Sequence, residues 1–361
     1  MKNKKNHQDS QDKKFPKYGE ALQDYKKSGK LRDWDRLETL TNALAIACLE
    51  TPGLEKQGER MLLCGRFLDF EACIILRHGK KLTRANFCKY RLCPICQPRK
   101  ANKVRDEVFD LAKAHLEKYQ HDVPLLLTLT APNVKGEDIG REIDDLMKAF
   151  ERLIKRKAVK RMNRSWFKSL EITKNQDRND FHPHFHILLM VPPEYFYKDS
   201  PLYITHDEWL KLWQEAKRDS TITQVDIRAI KGKNKEGKLE ALIAEVAKYT
   251  TKPSSYIYKD KDGKEVIDRE ALKSLHDGLK GRRTIGYGGY FKEVRKERKL
   301  EALEKAAIDD TENLNEDGTP KEKQPSRCRE CNREMIAETY IYNDKLKRYC
   351  KVSQHDHGPS P

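Results

Sequence analysis

Residues 181–189 read Phe-His-Pro-His-Phe-His-Ile-Leu-Leu, a run in which histidine and apolar side chains share one strand-like segment. Because side chains alternate between the two faces of a strand, His184 and His186 point to one face and Phe185 to the other. Two imidazoles about 7 Å apart along one face can bind a single divalent ion if a third ligand joins them. The segment therefore predicts a strand with chemistry on one face and packing on the other.

Alternating strands and helices surround this segment. Apolar runs predict strands at residues 125–130, 167–173, 185–191 and 225–230. Amphipathic stretches predict helices at residues 104–119, 137–162 and 238–252, and a capping box of Thr205 and Glu208 predicts the start of another. From residue 125 onwards the order strand–helix–strand–strand–helix–strand is the split β-α-β pattern of ferredoxin-like folds. We therefore expect an α+β fold with an antiparallel sheet.

Glu171 is the predicted third ligand of the ion. It lies on the strand before the histidines, and the connecting loop is short enough for an antiparallel pair. A His-His-carboxylate set leaves open positions for water or a phosphate oxygen, which suits an ion that polarises a phosphodiester. His182 is a spare candidate ligand. The alternative is that these histidines are ordinary strand residues with hydrogen-bonded rings.

A second cluster of functional groups lies on the helix predicted at residues 238–252. At about 100° per residue, Glu245, Tyr249 and Lys252 fall within roughly 60° of one another, beside an apolar stripe. Tyr249 is a candidate nucleophile, Lys252 a cation for the phosphate or phenolate, and Glu245 a base for water. A tyrosine needs a nearby cation or metal to act at neutral pH. The alternative is a surface cluster on an amphipathic helix.

The composition favours a polyanionic partner. The 361 residues carry 73 Lys and Arg against 57 Asp and Glu, a net charge of +16, which indicates nucleic acid, although charge of this sign also keeps a protein dispersed. No apolar run is long enough to cross a membrane, and the basic N-terminus lacks the apolar part of a secretory signal. The nine cysteines favour metal over disulfides in a cytoplasmic protein.

Three of these cysteines lie close together, at positions 88, 93 and 96. The spacing Cys88-x4-Cys93-x2-Cys96 predicts a structural zinc site. Cys64 is the expected fourth ligand, with Cys73 and His78 as rivals. The alternative is a group of buried or free thiols.

The end of the chain predicts a second zinc site. Its ligands are Cys328, Cys331, Cys350 and either His355 or His357. A short tail with little apolar content needs a bound metal ion to fold. The alternative is a disordered tail with incidental cysteines. Seven cysteines then serve metal, which leaves the thiols at positions 48 and 73 free.

Three ordered motifs together resemble one protein family. They read LTLTAPNV at residues 127–134, HPHFHIL at 182–188 and EVAKYTTK at 245–252. The cysteine segment at residues 85–96 and the glycine-containing stretches GRR at 281–283 and YGG at 287–289 fit as well. Over about residues 60–295 the chain resembles plasmid rolling-circle replication initiators, the Rep proteins of the HUH endonuclease superfamily. It is most similar to their single-tyrosine group, which is common on small plasmids of Gram-positive bacteria.

The resemblance implies a DNA-nicking mechanism. In the family, Mg²⁺ or Mn²⁺ sits on the two histidines, here His184 and His186, with Glu171 as the carboxylate partner, and polarises the scissile phosphate of single-stranded origin DNA. Tyr249 attacks and leaves a 5′-phosphotyrosine and a 3′-OH primer, and Glu245 helps a water or a second strand transfer to end the cycle. The implied partners are plasmid origin DNA, a host helicase and a host DNA polymerase in the bacterial cytoplasm, and a homodimer is left open.

The chain is accordingly expected to divide into six segments. These are a basic arm with short helices at 1–59, a zinc-binding segment at 60–100, the nicking domain at 101–260, a basic extension at 261–299, a linker at 300–326 and a zinc-binding tail at 327–361. The candidate DNA-binding residues are Arg99, Lys100, Lys103, Arg282 and Arg283. Two other functions remain: a transposase or relaxase of the same superfamily, and a non-catalytic zinc-finger regulator.

Overall fold

The computed structural model describes residues 19–26, 29–75, 78–197, 199–229, 235–247, 253–299 and 326–352. The chain divides into two compact units. The first contains Met1–Thr39, Cys64–Asn86 and Gln324–Pro361, and the second contains Leu40–Leu63 and Phe87–Lys323.

The helices in chain order are α1 (Trp34–Leu49), α2 (Glu55–Leu62), α3 (Cys96–Lys118), α4 (Ile139–Lys155), α5 (Lys157–Met162), α6 (His206–Lys217), α7 (Lys235–Val246) and α8 (Arg269–Leu279). The strands are β1 (Phe67–Ala72), β2 (Lys80–Ala85), β3 (Val123–Leu129), β4 (Ser165–Asn175), β5 (Asp180–Val191), β6 (Val225–Ala229), β7 (Ile257–Lys259), β8 (Glu265–Ile267), β9 (Ile285–Gly289), β10 (Ile336–Asn343) and β11 (Arg348–Lys351). Among the described residues, no helix is long and apolar enough to cross a lipid bilayer.

The second unit is built on a five-stranded sheet in the order β6-β3-β5-β4-β9, and every neighbouring pair is antiparallel. The expected α+β class with an antiparallel sheet is therefore confirmed. Strand β5 has neighbours on both sides and buries every side chain from Phe181 to Val191 except the half-buried His182. The histidines thus lie on a central strand, where the backbone is fixed by two ladders of hydrogen bonds.

Helices cover both faces of this sheet because its strands are apolar on both faces. On one face the ring of Phe150, from α4, lies 5.8 Å from that of Phe185. On the other face α3 and α7 pack against Leu126, Phe167 and Leu188 in one buried cluster. Since side chains alternate, His184 and His186 share the face that carries α3 and α7, as the alternation predicts.

The helix predicted over residues 137–162 is interrupted in the structure. Its first turn is a 3₁₀ turn over Gly136–Asp138, and the chain leaves the helical conformation at Arg156, where φ is −58° and ψ is 135°. The apolar stripe of α4 ends at Leu153, and Val159 and Met162 are buried by the separate helix α5. The periodic pattern predicts helical residues correctly, but it does not show that the chain must change direction at Arg156 to bury Val159 and Met162.

The predicted capping box at the start of α6 is formed. The hydroxyl of Thr205 accepts a hydrogen bond from the amide of Glu208, and the carboxylate of Glu208 accepts one from the amide of Thr205. We expect Thr205→Ala to lower the free energy of unfolding by about 1 kcal/mol, because the amide of Glu208 at the helix start loses its acceptor. Urea denaturation measures this change. Thr205→Ser keeps the hydroxyl and is the control, and an equal loss in both variants contradicts the role of the cap.

The first unit contains a four-stranded antiparallel sheet in the order β11-β10-β1-β2. The rings of Trp34 and Tyr340 lie 6.5 and 6.0 Å from that of Phe70, on β1, and form its aromatic core. Residues 326–352 therefore belong to the sheet of the first unit, whereas the six-segment division expects residues 327–361 to form a separate zinc-binding tail. They add β10 and β11 to the β1–β2 hairpin, because β10 pairs with the whole length of β1 and β11 pairs with β10.

Candidate active site

Three side chains of the second unit meet on the α7 side of the sheet. Glu171 lies on β4 directly opposite His184 on β5, and His186 lies two residues further along β5. The carboxylate Oε2 of Glu171 is 2.8 Å from Nε2 of His186 and 3.6 Å from Nε2 of His184. All three side chains are buried, and one ligand atom from each lies within 4.8 Å of the others. These three side chains, which we call the carboxylate–histidine triad, can hold one metal ion.

Neighbouring groups orient both rings of the triad. Nδ1 of His184 donates to the carbonyl oxygen of His182 at 3.0 Å, which leaves Nε2, the atom that faces Glu171, as the ring nitrogen that can bind a metal. Nδ1 of His186 lies 3.3 Å from the hydroxyl of Thr128 on β3. Partners of this kind fix the ring orientation of metal-binding histidines. The structure thus presents both Nε2 atoms towards the position where an ion would bind.

His182, the spare candidate ligand, lies beside the triad but is not one of its members. Its ring stacks on that of His184 with centroids 4.9 Å apart. Burial, with the neighbouring His184, lowers the pKa of His182 below its ordinary value. Its imidazole is therefore placed to pack against the ligand ring in the neutral form.

The end of helix α7 is fixed beside the triad. Ser169, which lies opposite His186 in the sheet register, donates a hydrogen bond to the carbonyl oxygen of Val246, the last residue of α7. The predicted nucleophile Tyr249 and the predicted cation Lys252 lie outside the described residues. Tyr249 follows Val246 by three positions in the sequence.

Glu245, four residues before Tyr249 in the sequence, is held by an arginine. Its carboxylate accepts a hydrogen bond of 2.8 Å from the guanidinium of Arg228 on β6, and Arg228 also donates to Asp226 at 2.7 Å. Asp226 lies opposite Thr128, which in turn lies opposite His186. Asp226, Arg228 and Glu245 therefore form a charged row at the edge of the same sheet face as the triad.

Sequence reasoning missed four residues of this site: Thr128, Ser169, Asp226 and Arg228. Thr128 could have been predicted, because it lies within the first motif on an apolar strand. A hydroxyl on such a strand needs a hydrogen-bond partner. The other three carry no local signal, because their roles depend on which strands are neighbours and in which register.

The upstream cysteine segment brings three thiols together in the second unit. The sulfur atoms of Cys88, Cys93 and Cys96 lie within 4.8 Å of one another, at the N-terminus of α3. Cys64, the predicted fourth ligand, is buried. It belongs to the first unit, where it begins the segment Cys64–Asn86. Burial raises the pKa of Cys48 to about 12, and this thiol is not a member of any metal-ligand group among the described residues, in agreement with its prediction as a free thiol.

The C-terminal cysteines have different neighbours from those predicted. Cys328 and Cys331 group with Cys73 and His78, and not with Cys350. Cys350 lies on β11, where it pairs with Ile341, and its place in the sheet keeps it out of the group. Cys73 and His78, the alternative fourth ligands of the upstream site, belong to this group instead. The prediction that Cys73 is a free thiol is therefore wrong. The alternatives His355 and His357 lie outside the described residues.

The candidate DNA-binding residues have different surroundings. Arg99, Lys100 and Lys103 are exposed on the first turns of α3, and the guanidinium of Arg99 lies 4.1 Å from the ring centre of Phe87. The guanidinium of Arg282 makes two hydrogen bonds to Asp144 on α4, at 2.8 and 2.7 Å. Arg282 is thus paired within the second unit, whereas Arg283 is exposed, and DNA binding by these residues stays a prediction.

Comparisons with known proteins agree on one family. The family model described as "Replication protein" matches residues 79–340. The "Protein rep" of Streptococcus pneumoniae serotype 2 is 34% identical over 292 residues, which cover 81% of this chain and 87% of that protein. The "Protein rep" of Bacillus amyloliquefaciens is 36% identical over 296 residues, 77% and 86% of the two chains.

A third relative extends the same result. The "Protein rep" of Lentilactobacillus hilgardii is 34% identical over 289 residues, 78% of this chain and 88% of that protein. No solved structure matches the chain at a significant level. The matched residues include the triad, helix α7 and the upstream cysteines. The chain therefore belongs to the Rep family of replication proteins, as the resemblance of its three ordered motifs to plasmid replication initiators predicts.

Proposed function

We propose that this protein initiates rolling-circle replication of a plasmid by nicking one DNA strand at the origin. The carboxylate–histidine triad carries this proposal, because it is a buried site for a divalent ion on the face of the sheet where helix α7 ends. The strands of the split β-α-β unit lie in the order β6-β3-β5-β4, fourth-first-third-second, with all pairs antiparallel. That order supports a ferredoxin-like HUH nuclease domain in the second unit.

Glu171, His184 and His186 would hold Mg²⁺ or Mn²⁺. The carboxylate is the ligand type that both ions prefer, and three protein ligands leave positions for a phosphate oxygen. When bound, the ion supplies charge that stabilises the phosphorane-like transition state of a phosphodiester. The protein contributes the fixed orientation of both rings through His182 and Thr128.

Tyr249 is the proposed nucleophile. Its hydroxyl oxygen forms a bond to the scissile phosphorus, and the bond from phosphorus to the 3′-oxygen breaks. The products are a 5′-phosphotyrosine link and a free 3′-OH, which takes up the proton that the tyrosine loses. Lys252 supplies a positive charge for the phenolate or the phosphate. The hydrogen bond between Ser169 and Val246 supports this role, since it holds the end of α7, three residues before Tyr249 in the sequence, beside the triad.

Glu245 is the proposed base of the terminating step. It would take a proton from a water, or from the 3′-OH of a second strand, as that oxygen attacks the phosphotyrosine and releases the Tyr249 hydroxyl. Arg228 acts as its positioning residue, because it fixes one carboxylate oxygen from the neighbouring strand.

We expect Glu245→Ala to nick at close to the normal rate but to release covalent DNA more slowly, on the order of a hundredfold. The linked and over-long products that accumulate are measured on denaturing gels with a labelled origin. Glu240→Ala removes an exposed carboxylate from the same helix and is the control. Normal release by Glu245→Ala contradicts the assignment of the base.

The implied partners are the origin DNA, a host helicase and the host polymerase that extends the 3′-OH, and a homodimer is compatible with this scheme. The names of the relatives favour replication over transposition or conjugation. The deciding experiment incubates the full chain with a single-stranded oligonucleotide from the origin of the parent plasmid and Mn²⁺. Mass spectrometry should find the oligonucleotide on a peptide that contains Tyr249. Attachment to another residue, or cleavage without attachment, contradicts the proposal.

A further inference from the structure

A set of four candidate metal ligands outside the active site lies in the first unit, where two loops meet. Cys73 follows β1, and His78 precedes β2. Cys328 and Cys331 lie in the segment that leads into β10. Ala72, at the end of β1, pairs with Ile336, at the start of β10, so both loops lie at the same end of the sheet.

The distances among these four side chains match a tetrahedral zinc site. Sγ of Cys73 lies 3.5 Å from Sγ of Cys331, and Nδ1 of His78 lies 3.7 and 3.5 Å from the sulfurs of Cys73 and Cys328. A tetrahedron with zinc–sulfur bonds of about 2.3 Å has edges of about 3.8 Å. A disulfide needs its sulfurs at about 2.05 Å, much closer than Cys73 and Cys331 lie.

Backbone hydrogen bonds to the cysteines fix the conformation of both loops. The amide of Ile75 donates to Sγ of Cys73 at 3.4 Å. In the other loop, the amide of Asn332 donates to the carbonyl oxygen of Cys328 at 2.8 Å, and Asn332 adopts the left-handed conformation with φ of 56°. Amide donors to cysteine sulfur stabilise the thiolate form that binds metal. The C-x2-C turn is therefore already closed in the form that two thiolates of one site require.

We propose that Cys73, His78, Cys328 and Cys331 bind one structural zinc ion that ties the C-terminal segment to the β1–β2 hairpin. This site uses neither Cys350 nor a C-terminal histidine. Four protein ligands leave no position for water, so the ion has a structural and not a catalytic role. The site joins residues more than 250 positions apart in the chain. It does not depend on the proposed nicking chemistry.

The first test counts zinc in the full-length protein by elemental mass spectrometry. Cys331→Ser should contain one zinc fewer per chain than the wild type, whatever the content of the upstream cysteine segment. Cys350→Ser is the matched control and should contain the same zinc as the wild type. Equal zinc in wild type and Cys331→Ser overturns the proposal. So does a native intact mass that is lower by two hydrogens with a Cys73–Cys331 disulfide, because the thiols are then not available to metal.

A second variant keeps the test decisive if Cys331→Ser does not fold. His78→Cys replaces the one nitrogen ligand with a thiolate and should bind the same number of ions. When cobalt replaces zinc, the visible absorption of His78→Cys should gain sulfur-to-cobalt charge-transfer intensity over the wild type. An unchanged cobalt spectrum with unchanged metal content shows that His78 is not a ligand. Neither measurement uses DNA cleavage, so failure of the nicking proposal leaves both readouts intact.

Discussion

Tyr249→Phe is expected to abolish covalent attachment of origin DNA while origin binding stays near the wild-type level. The change removes one oxygen atom, the proposed nucleophile, and keeps the ring. Loss of the attacking group should lower the nicking rate by on the order of a thousandfold or more. The rate is measured on a labelled single-stranded origin oligonucleotide with Mn²⁺, and binding is measured by fluorescence anisotropy at the same salt concentration, since affinity for DNA depends strongly on salt.

Tyr258→Phe is the control for that experiment. Tyr258 lies on the short strand β7 and is exposed, and its loss should leave both the rate and the affinity unchanged. A linked DNA product from Tyr249→Phe rules out Tyr249 as the nucleophile. A parallel loss of DNA binding in Tyr249→Phe assigns the residue to binding and not to chemistry.

His186→Ala is expected to lower the rate of metal-dependent cleavage by about a hundredfold or more. Loss of a residue that only supports a metal ligand typically lowers activity 10- to 100-fold, and loss of the ligand itself should lower it further. Activity against Mn²⁺ concentration gives the measurement, and the apparent affinity for Mn²⁺ should fall together with the maximal rate. Direct Mn²⁺ binding, read by paramagnetic resonance, gives a second readout that does not depend on chemistry. The Nε2 of His186 faces Glu171 at 2.8 Å, so the same loss is expected for Glu171→Ala.

The control is His121→Ala, which removes an exposed histidine from the turn before β3. It should keep both Mn²⁺ binding and cleavage. Cleavage by His186→Ala that continues at the wild-type rate in the presence of a chelator overturns the metal site. Thr128→Val tests the supporting contact: a 10- to 100-fold loss of Mn²⁺ affinity is expected, because His186 loses the hydroxyl that orients its ring.

The triad was predictable from sequence because its geometry is local. The alternation of His184, Phe185 and His186 places the two imidazoles on one face of any strand, and the short connection to Glu171 favours a hairpin. The structure has that hairpin, with Glu171 opposite His184. The capping box of Thr205 and Glu208 was predictable for the same reason, since both partners lie within one helical turn.

The group of Cys73, His78, Cys328 and Cys331 was not predictable, because its two halves are far apart in sequence. The spacing of Cys328 and Cys331 indicates half of a site but gives no information about the other half. The nearest ligand types in sequence, Cys350 and His355, were the natural expectation. The pairing of β1 with β10 brings Cys73 and His78 there instead. The pair of Arg228 and Glu245 depends in the same way on the position of β6 beside β3.

The sheet of the first unit has a consequence for synthesis of the protein. Strand β1 pairs on one side with β2, which is made soon after it, and on the other with β10, which is made more than 250 residues later. Until the ribosome releases those last residues, one edge of β1 has no partner, and an open strand edge invites pairing with other chains. Premature termination before residue 326 should therefore give an aggregation-prone product even though the whole five-stranded sheet has been made.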